Sequence, residues 1–490
     1  MSLTRALNSA YSGLSSSSYR ADIASSNIAN ANSPDYVRRS VITAENTVGG
    51  KGNGVRIVGV ERAQDYELSR LRRDANAAAG RSDILASTYT QLNRELGEPG
   101  DAYGLFAAYE NLESSLRDLA VTPESPALQN SVLSASREIV DQFNSLSIQN
   151  NERRVRADDN IARDVDSVNS ALNRLHELNG DIAGFREGEG GAAALEDERQ
   201  SLINTISEII PVKDIRRDGG VVDIVSTGGV FLLSSGSVKP LEFSAVGTIG
   251  PTSDYATGVG NLSGLRVGDQ DLTPGQGGSF SVSSGRLAGY FAVRDNIVPA
   301  FSAQLDSLAG DLITRVSQDA IDPTKLPGDP GLFTDAGAAF DPLNTVGAAG
   351  RLRLNAAIDP VQGGVASRIR DGIGATTQGP SGQADILNGI LGALTSRTAA
   401  PSETALNGNF STSELIAGIT SIIGENRVRN DALSAGATAR ANLLTDAEFE
   451  AGGVDTDNEL QSLLLIEQSY AANARVIQTV GDMMDRLLQI

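Results

Sequence analysis

The sequence predicts a mainly α fold with a small β module, and three observations carry that reading. Both ends of the 490-residue chain place apolar residues at alternating steps of three and four. Long stretches of the middle repeat the helical period. Between Pro211 and about Gly285 the period drops to two among glycine-rich turns, as in short strands. The architecture expected is a long helical bundle or coiled coil formed by the N- and C-terminal segments, a central helical hairpin, and an inserted region of short strands.

At the N-terminus Leu3, Leu7, Ala10, Leu14, Ser17, Ala21, Ala24, Ile28 and Ala31 form a coiled-coil seam rich in small residues, which lets backbones approach closely. Asn32-Ser33-Pro34 stops it, because proline cannot donate to the preceding turn and pushes Ser33 toward extended geometry. From Tyr36 to Val60 the β-branched residues and glycines read as extended chain or a loose hairpin.

Helices resume near Leu68 and run, with breaks, to about Glu208. One opens after Pro126 and carries Leu128, Val132, Ala135, Ile139 and Phe143. A second carries Ile161, Val165, Val168, Leu172, Leu175 and Ile182, ends in Gly188-Glu189-Gly190-Gly191, and folds back on a helix with Leu195, Leu202, Ile206 and Ile209. Short strands are expected at Val212–Ile215, Val221–Val225, Val230–Leu233 and Phe280–Val282.

Helix returns over Leu287, Phe291, Val298, Leu305, Leu308 and Leu312, with Pro299 as a kink. Residues 322–382 read mostly as loop, and further helices cover about 383–396 and 412–450. The chain ends in a second seam, Leu463, Ile466, Tyr470, Asn473, Ile477, Val480, Met484 and Leu487, opened by Thr456-Asp457-Asn458-Glu459 as a capping box. Asn473 is its one fully polar member and is expected to set register. A lone helix of either seam exposes its apolar edge, so both ends need helical partners. The organisation expected is 1–45 with 455–490 as a terminal coiled-coil unit, 46–210 with 284–454 as a helical core, and 211–283 as a β module within it.

Composition excludes several kinds of work. Forty Lys and Arg against 61 Asp and Glu give a formal charge of −21, which repels nucleic acid and anionic membrane surfaces. There is no Cys and no Trp, and a single His, His176, so Ser-His-Asp catalysis, thiolate chemistry and multi-His metal centres have no residues to use. Glu187, Glu189, Glu196, Asp197 and Glu198 flank a helical turn and read as a solvated charge run rather than a glycosidase pair. Asp455, Asp457 and Glu459 have alternate calcium-ligand spacing without the rest of an EF-hand loop, and helix capping accounts for them. No catalytic, metal or cofactor site is expected. Arg5, Asn8 and Ser9 break the apolar core that a cleaved secretory signal needs, and no apolar run approaches a membrane span.

The segment Ser26-Asn27-Ile28-Ala29-Asn30-Ala31-Asn32-Ser33-Pro34-Asp35-Tyr36-Val37-Arg38 closely resembles the signature of the rod, hook and hook-associated axial proteins of the bacterial flagellum. Asp35 stands where that family usually has glycine, and Asp tolerates the turn. Met1-Ser2-Leu3 through Ser12-Gly13-Leu14, Leu116-Arg117-Asp118-Leu119-Ala120, Ala194-Leu195-Glu196-Asp197-Glu198-Arg199, Ser284-Gly285-Arg286-Leu287-Ala288-Gly289 and Gln468-Ser469-Tyr470-Ala471-Ala472-Asn473-Ala474-Arg475-Val476 extend the likeness to the subunits at the hook-filament junction.

The resemblance implies export unfolded through the flagellar type III apparatus, without a cleaved signal peptide, to an extracellular place in the flagellum. It implies a subunit that self-assembles as a layer between hook and filament, both termini packed in the inner tube. The partners implied are neighbouring copies, hook protein, the second junction protein (hook-associated protein 3) or flagellin, and an export chaperone on the C-terminal helix. Leu3, Leu7, Leu14 and Ile28 would serve as the N-terminal assembly seam, and Asn27, Asn30, Asn32, Pro34 and Tyr36 would shape the exit from the inner helix. The C-terminal seam would serve both chaperone and neighbours. The large outer β domain of longer family members is expected to be absent, because Arg351-Leu352-Arg353-Leu354-Asn355 follows soon after Gly331-Leu332-Phe333. A hook or rod subunit is the near alternative, although the hairpin at 157–210 favours the junction. A carboxylate-dependent peptidoglycan hydrolase or a coiled-coil adhesin would be of another class.

Overall fold

A computed structural model describes residues 3–33, 36–48, 50–185, 192–234 and 236–488. Helix α1 (Leu3–Ala29) is followed by strands β1 (Arg39–Val48) and β2 (Lys51–Arg62), which close a long antiparallel ribbon pairing Arg39 with Arg62 at its foot. The stretch expected as loose hairpin is therefore a regular one with two register shifts, at Ile42/Thr43 and Glu45/Thr47. A unit boundary at residue 45 falls inside β1, because the ribbon packs as a whole along α1, with the Val55 amide donating to Ser12 Oγ at 3.1 Å.

Helix α2 (Tyr66–Leu96) starts on Asp65, whose carboxylate accepts the Glu67 and Leu68 amides. α3 (Gly104–Val121) leads to α4 (Pro126–Ala183), 58 residues long and capped by Ser125. Two helices were expected across this stretch, and one is present. The apolar stripe lapses between Leu146 and Ala157 because the inward positions there are Asn150, Arg153 and Arg154. These are partnered polar groups, so the face stays buried while the periodic signal disappears.

α5 (Ala192–Ile209) packs back on α4, and the Gly188–Gly191 turn between them lies outside the described residues. Strands β3 (Val212–Arg216), β4 (Val222–Ser226), β5 (Phe231–Ser234) and β6 (Ser237–Val238) form an antiparallel meander in that order. β7 (Arg266–Val267) and β8 (Gln270–Asp271) make a small separate hairpin. Phe280–Val282 is not a strand. Val282 is fully buried and donates its amide to Leu272, so its apolar alternation marks an anchored coil.

α6 (Gly285–Ala292) and α7 (Val298–Val316) are joined by a π-helical turn, Val293–Ile297. The interruption expected at Pro299 thus sits just before it, where a residue without an N–H cannot complete the α-helical ladder. The following stretch is mostly loop, as expected, punctuated by β9 (Phe333–Asp335), α8 (Ala348–Arg351), β10 (Leu352–Leu354) and α9 (Arg368–Asp371). α10 (Asp385–Thr395), β11 (Thr398–Ala399) and β12 (Asn409–Phe410) precede α11 (Thr412–Gly452), which opens on a capping box of Ser411 and Glu414. α12 (Thr456–Leu488) ends the described chain.

The two largest hydrophobic cores share α4. One gathers α3, the first half of α4, α7, α10 and the start of α11 around Tyr109, Phe143, Phe301 and Phe333. The other gathers the second half of α4, α5, the meander and α6 around Ile161, Leu172, Ile206, Ile224 and Phe291. The β module forms one wall of that second core. α11 lies along α2.

Candidate assembly interface

α1 and α12 pack antiparallel along their lengths. Gly13 faces Asn473, and the Ser17–Asp22 stretch faces Leu460–Tyr470. On α1 the buried positions are the small Ala10, Ser16, Ser17 and Ala24, together with Asn27 near its end, while Leu3, Leu7, Leu14 and Ile28 are half-buried. On α12 Ile466 and Val480 are buried, and Leu463, Asn473 and Ile477 are half-buried.

Three members of the expected C-terminal seam stay open within the chain: Tyr470 is 46%, Met484 44% and Leu487 62% exposed. With Gly13 opposite Asn473, the register puts Met484 level with the very start of α1 and Leu487 beyond it. Tyr470 instead lines the open groove beside Ser17, Ser18 and Ala21 of α1.

Asn473 fits its place sterically. Its amide nitrogen donates to Ser469 of its own helix at 3.0 Å, and its tip lies where a Cβ on residue 13 would be only 2.8 Å away. Asn473 therefore meets α1 as an asparagine seated over a glycine, with no hydrogen bond between the two helices at this point among the described residues.

The exit from α1 is built on Asn27, which is 1% exposed. Its Nδ2 donates to the Arg39 carbonyl at 2.9 Å, while Oδ1 accepts the Arg39 amide at 3.1 Å and the Tyr36 hydroxyl at 2.9 Å. Asn30 Nδ2 donates to the Ser26 carbonyl at 2.9 Å and closes the last turn. Asn32 is exposed, and nothing in the structure accounts for it. Pro34 and Asp35 lie outside the described residues.

Sequence reasoning missed the charges around this exit. Arg38 pairs with Glu459 on α12 at 2.7 Å, and Glu459 is 2% exposed. The capping box expected at 456–459 does not form: Asp455 is the cap, accepting the Asp457 and Asn458 amides, and Glu459 is spent on Arg38. Asp197 is no solvated charge either. It receives both Arg39 and Arg62 from the foot of the ribbon, with Glu196 3.5 Å from Arg62. Arg38 and Arg39 beside the exit motif were the only available signal, and adjacency does not name a partner more than 100 positions away.

The rest of α12 is open and apolar. Leu460, Leu464 and Leu465 are more than half exposed, and Val476 and Met483 continue the outward side. Leu465, Ala472, Val476 and Met483 recur at heptad-compatible steps, a second stripe beside the one that meets α1. A groove of about 770 Å³ runs between this surface and Ser17, Ser18 and Ala21. α12 is thus apolar on two sides, one packed on α1 and the other open.

Elsewhere, His176 is exposed on α4, and no group of three or more His, Asp or Glu arranged for a metal occurs among the described residues. No helix among them is long and apolar enough to cross a membrane.

Comparison with known proteins bears on this geometry. The family described as flagellar hook-associated protein FlgK helical domain matches residues 89–332, and the flagellar basal body rod FlgEFG protein C-terminal family matches 449–490, which contains α12. Flagellar hook-associated protein 1 of Bacillus subtilis (strain 168) is 24% identical over 519 residues, covering 98% of this chain and 97% of that protein. The chain belongs to the flagellar hook-associated protein 1 family. Hook-associated protein 1 of Escherichia coli (strain K12) is likewise 24% identical, over 547 residues, covering 99% of each. The flagellar hook junction protein FlgK from Burkholderia pseudomallei overlaps more loosely, at 20% identity, 54% of this chain, 46% of that chain and a TM-score of 0.43. As a hook-associated protein the chain is a component of the flagellum, and its relatives are structural proteins.

Proposed function

We propose that this hook-associated protein forms the layer joining hook to filament, assembling through its paired terminal helices after unfolded export. The observation that carries this is the double-sided α12, with one apolar side on α1 and the other open. Burying a Leu, Val or Met side chain stabilises by roughly 1.5–3 kcal/mol, so several on one stripe favour association strongly. Neighbouring copies, hook protein, hook-associated protein 3 and flagellin are the assembled partners in this reading. An export chaperone would cover the same open stripe beforehand. The small β9–β10 pair closes the segment where longer relatives would carry an outer β domain, so the work resides in the ends and the helical body.

Deleting the gene tests the junction role. Cells should build hooks of normal length, lack filaments and shed flagellin into the medium, and a copy ending at Val454 should fail to restore filaments. Loss of the hook itself would assign the chain to the hook or rod instead. Clearing of a peptidoglycan zymogram by the purified protein would overturn the structural reading.

A further inference from the structure

The terminal elements α1, β1, β2 and α12 pack on one another, and none packs extensively on a helix of the body. Two short connections join them to it: Ala63–Asp65 between β2 and α2, and Gly453–Asp455 between α11 and α12. These run side by side with the exit backbone threaded between them. The Arg38 amide donates to the Gly452 carbonyl, and the Ala63 amide donates to the Arg38 carbonyl, both at 2.9 Å. A Cβ on Gly452 would stand 2.6 Å from the Ala63 carbonyl oxygen, so the crossing needs glycine. A cavity of about 140 Å³ opens beside it, lined by Tyr36, Ala63, Arg72, Glu448 and Phe449 among others. Two adjacent connections with no apolar seam across them make an axis on which one unit can turn against the other.

What crosses that axis is charge. Asp197, on α5 in the body, receives Arg39 and Arg62, which are register partners at the foot of the ribbon. Their side chains are 12% and 5% exposed, and that of Asp197 is 14% exposed, so the site is largely desolvated. Two adjacent guanidinium groups repel one another in such a place unless a carboxylate lies between them. Arg39 also rests on the Tyr36 ring, 4.7 Å from its centroid, and its backbone is held by Asn27, so the ribbon foot moves with α1.

We infer that Asp197 is a clasp across a two-strap hinge, and that it fixes the direction in which the terminal helix pair leaves the body. Without its charge Arg39 has no described carboxylate partner, and Arg62 keeps only the Glu196 contact at 3.5 Å. The pair then samples several directions about the straps. This concerns the isolated chain and stands or falls independently of the junction reading.

The chain has no cysteine, so spin labels at Ser15→Cys on α1 and Thr205→Cys on α5 are the only labels, and pulsed electron resonance reads the distance between the two units. The parent should give one narrow population. Asp197→Asn should broaden it or add a second population while circular dichroism keeps its helix content. The double variant Arg39→Gln with Arg62→Gln should do the same, and adding Asp197→Asn to it should add nothing further, as for groups acting as one unit. A broad parent distribution, an unchanged distribution in both Asp197→Asn and the arginine variant, or additive broadening in the triple variant would each overturn the clasp.

Discussion

Asn27 and Arg39 stand 12 positions apart and are joined twice, side-chain amide to carbonyl and backbone amide to side-chain oxygen. A buried asparagine here does the work of a strand, pairing with the backbone of the first residue of β1. Asn27→Ala should leave that backbone unsatisfied and cost about 2 kcal/mol locally. Hydrogen exchange of the Arg39 amide measures it, and unchanged protection would remove Asn27 from the exit. Tyr36→Phe loses one hydroxyl bond and should cost about 1 kcal/mol.

The seat of Asn473 on Gly13 predicts a coupled pair. Gly13→Ala should be mild, because the Asn473 tip can swing aside, whereas Gly13→Val should destabilise the helix pair by about 1–3 kcal/mol. Asn473→Ala should restore most of that loss. Exchange protection along α12 reads the cycle, and strict additivity would mean that the two residues do not meet.

Ile466 and Val480 are the two buried seam residues of α12. Ile466→Asp with Val480→Asp should part α12 from α1, keep the body folded, and abolish incorporation into purified hook-basal bodies. Detection of the doubly charged variant there at normal amount would refute the seam.

Arg294 and Asp158 pair at 2.7 Å with both side chains fully buried, and the π-helical turn carries the arginine inward. Arg294→Met leaves Asp158 without its main cation and should cost about 3–5 kcal/mol in denaturant unfolding. Adding Asp158→Asn should recover part of it, because the stranded charge is gone.

Burial pushes the Asp306 carboxyl up from the ordinary 3.8, outweighing the Ala349 and Gly347 amides that hold it down. A raised folded-state value means that its contribution to stability is full below 3.8 and is lost as pH rises through the raised value. The difference in unfolding free energy between wild type and Asp306→Asn should therefore shift against wild type across that window. A pH-independent difference would show that Asp306 is not perturbed.

The terminal helices, the α4–α5 hairpin and the first three strands of the meander were legible, because each rests on a local period or a turn residue, and the ribbon only as extended chain or a loose hairpin. The middle of α4 was not, since Arg153 and Arg154 interrupt the apolar stripe and are buried only through partners on other elements. Phe280–Val282 failed the other way, carrying a strand's alternation with no neighbouring strand to pair. Glu459 matched a capping box and was taken by Arg38.

By itself the sequence determined that this protein has two seamed ends, an asparagine-rich exit and no residues for thiolate, Ser-His-Asp or multi-His chemistry, because periodicity, turn chemistry and missing residue types are properties of the chain. Only the tertiary structure decided that Gly13 of α1 meets Asn473 of α12, that Tyr470, Met484 and Leu487 remain open, and that Asp197 meets Arg39 and Arg62. Those are matters of register and of charge pairing over long separations, and a one-dimensional pattern specifies neither.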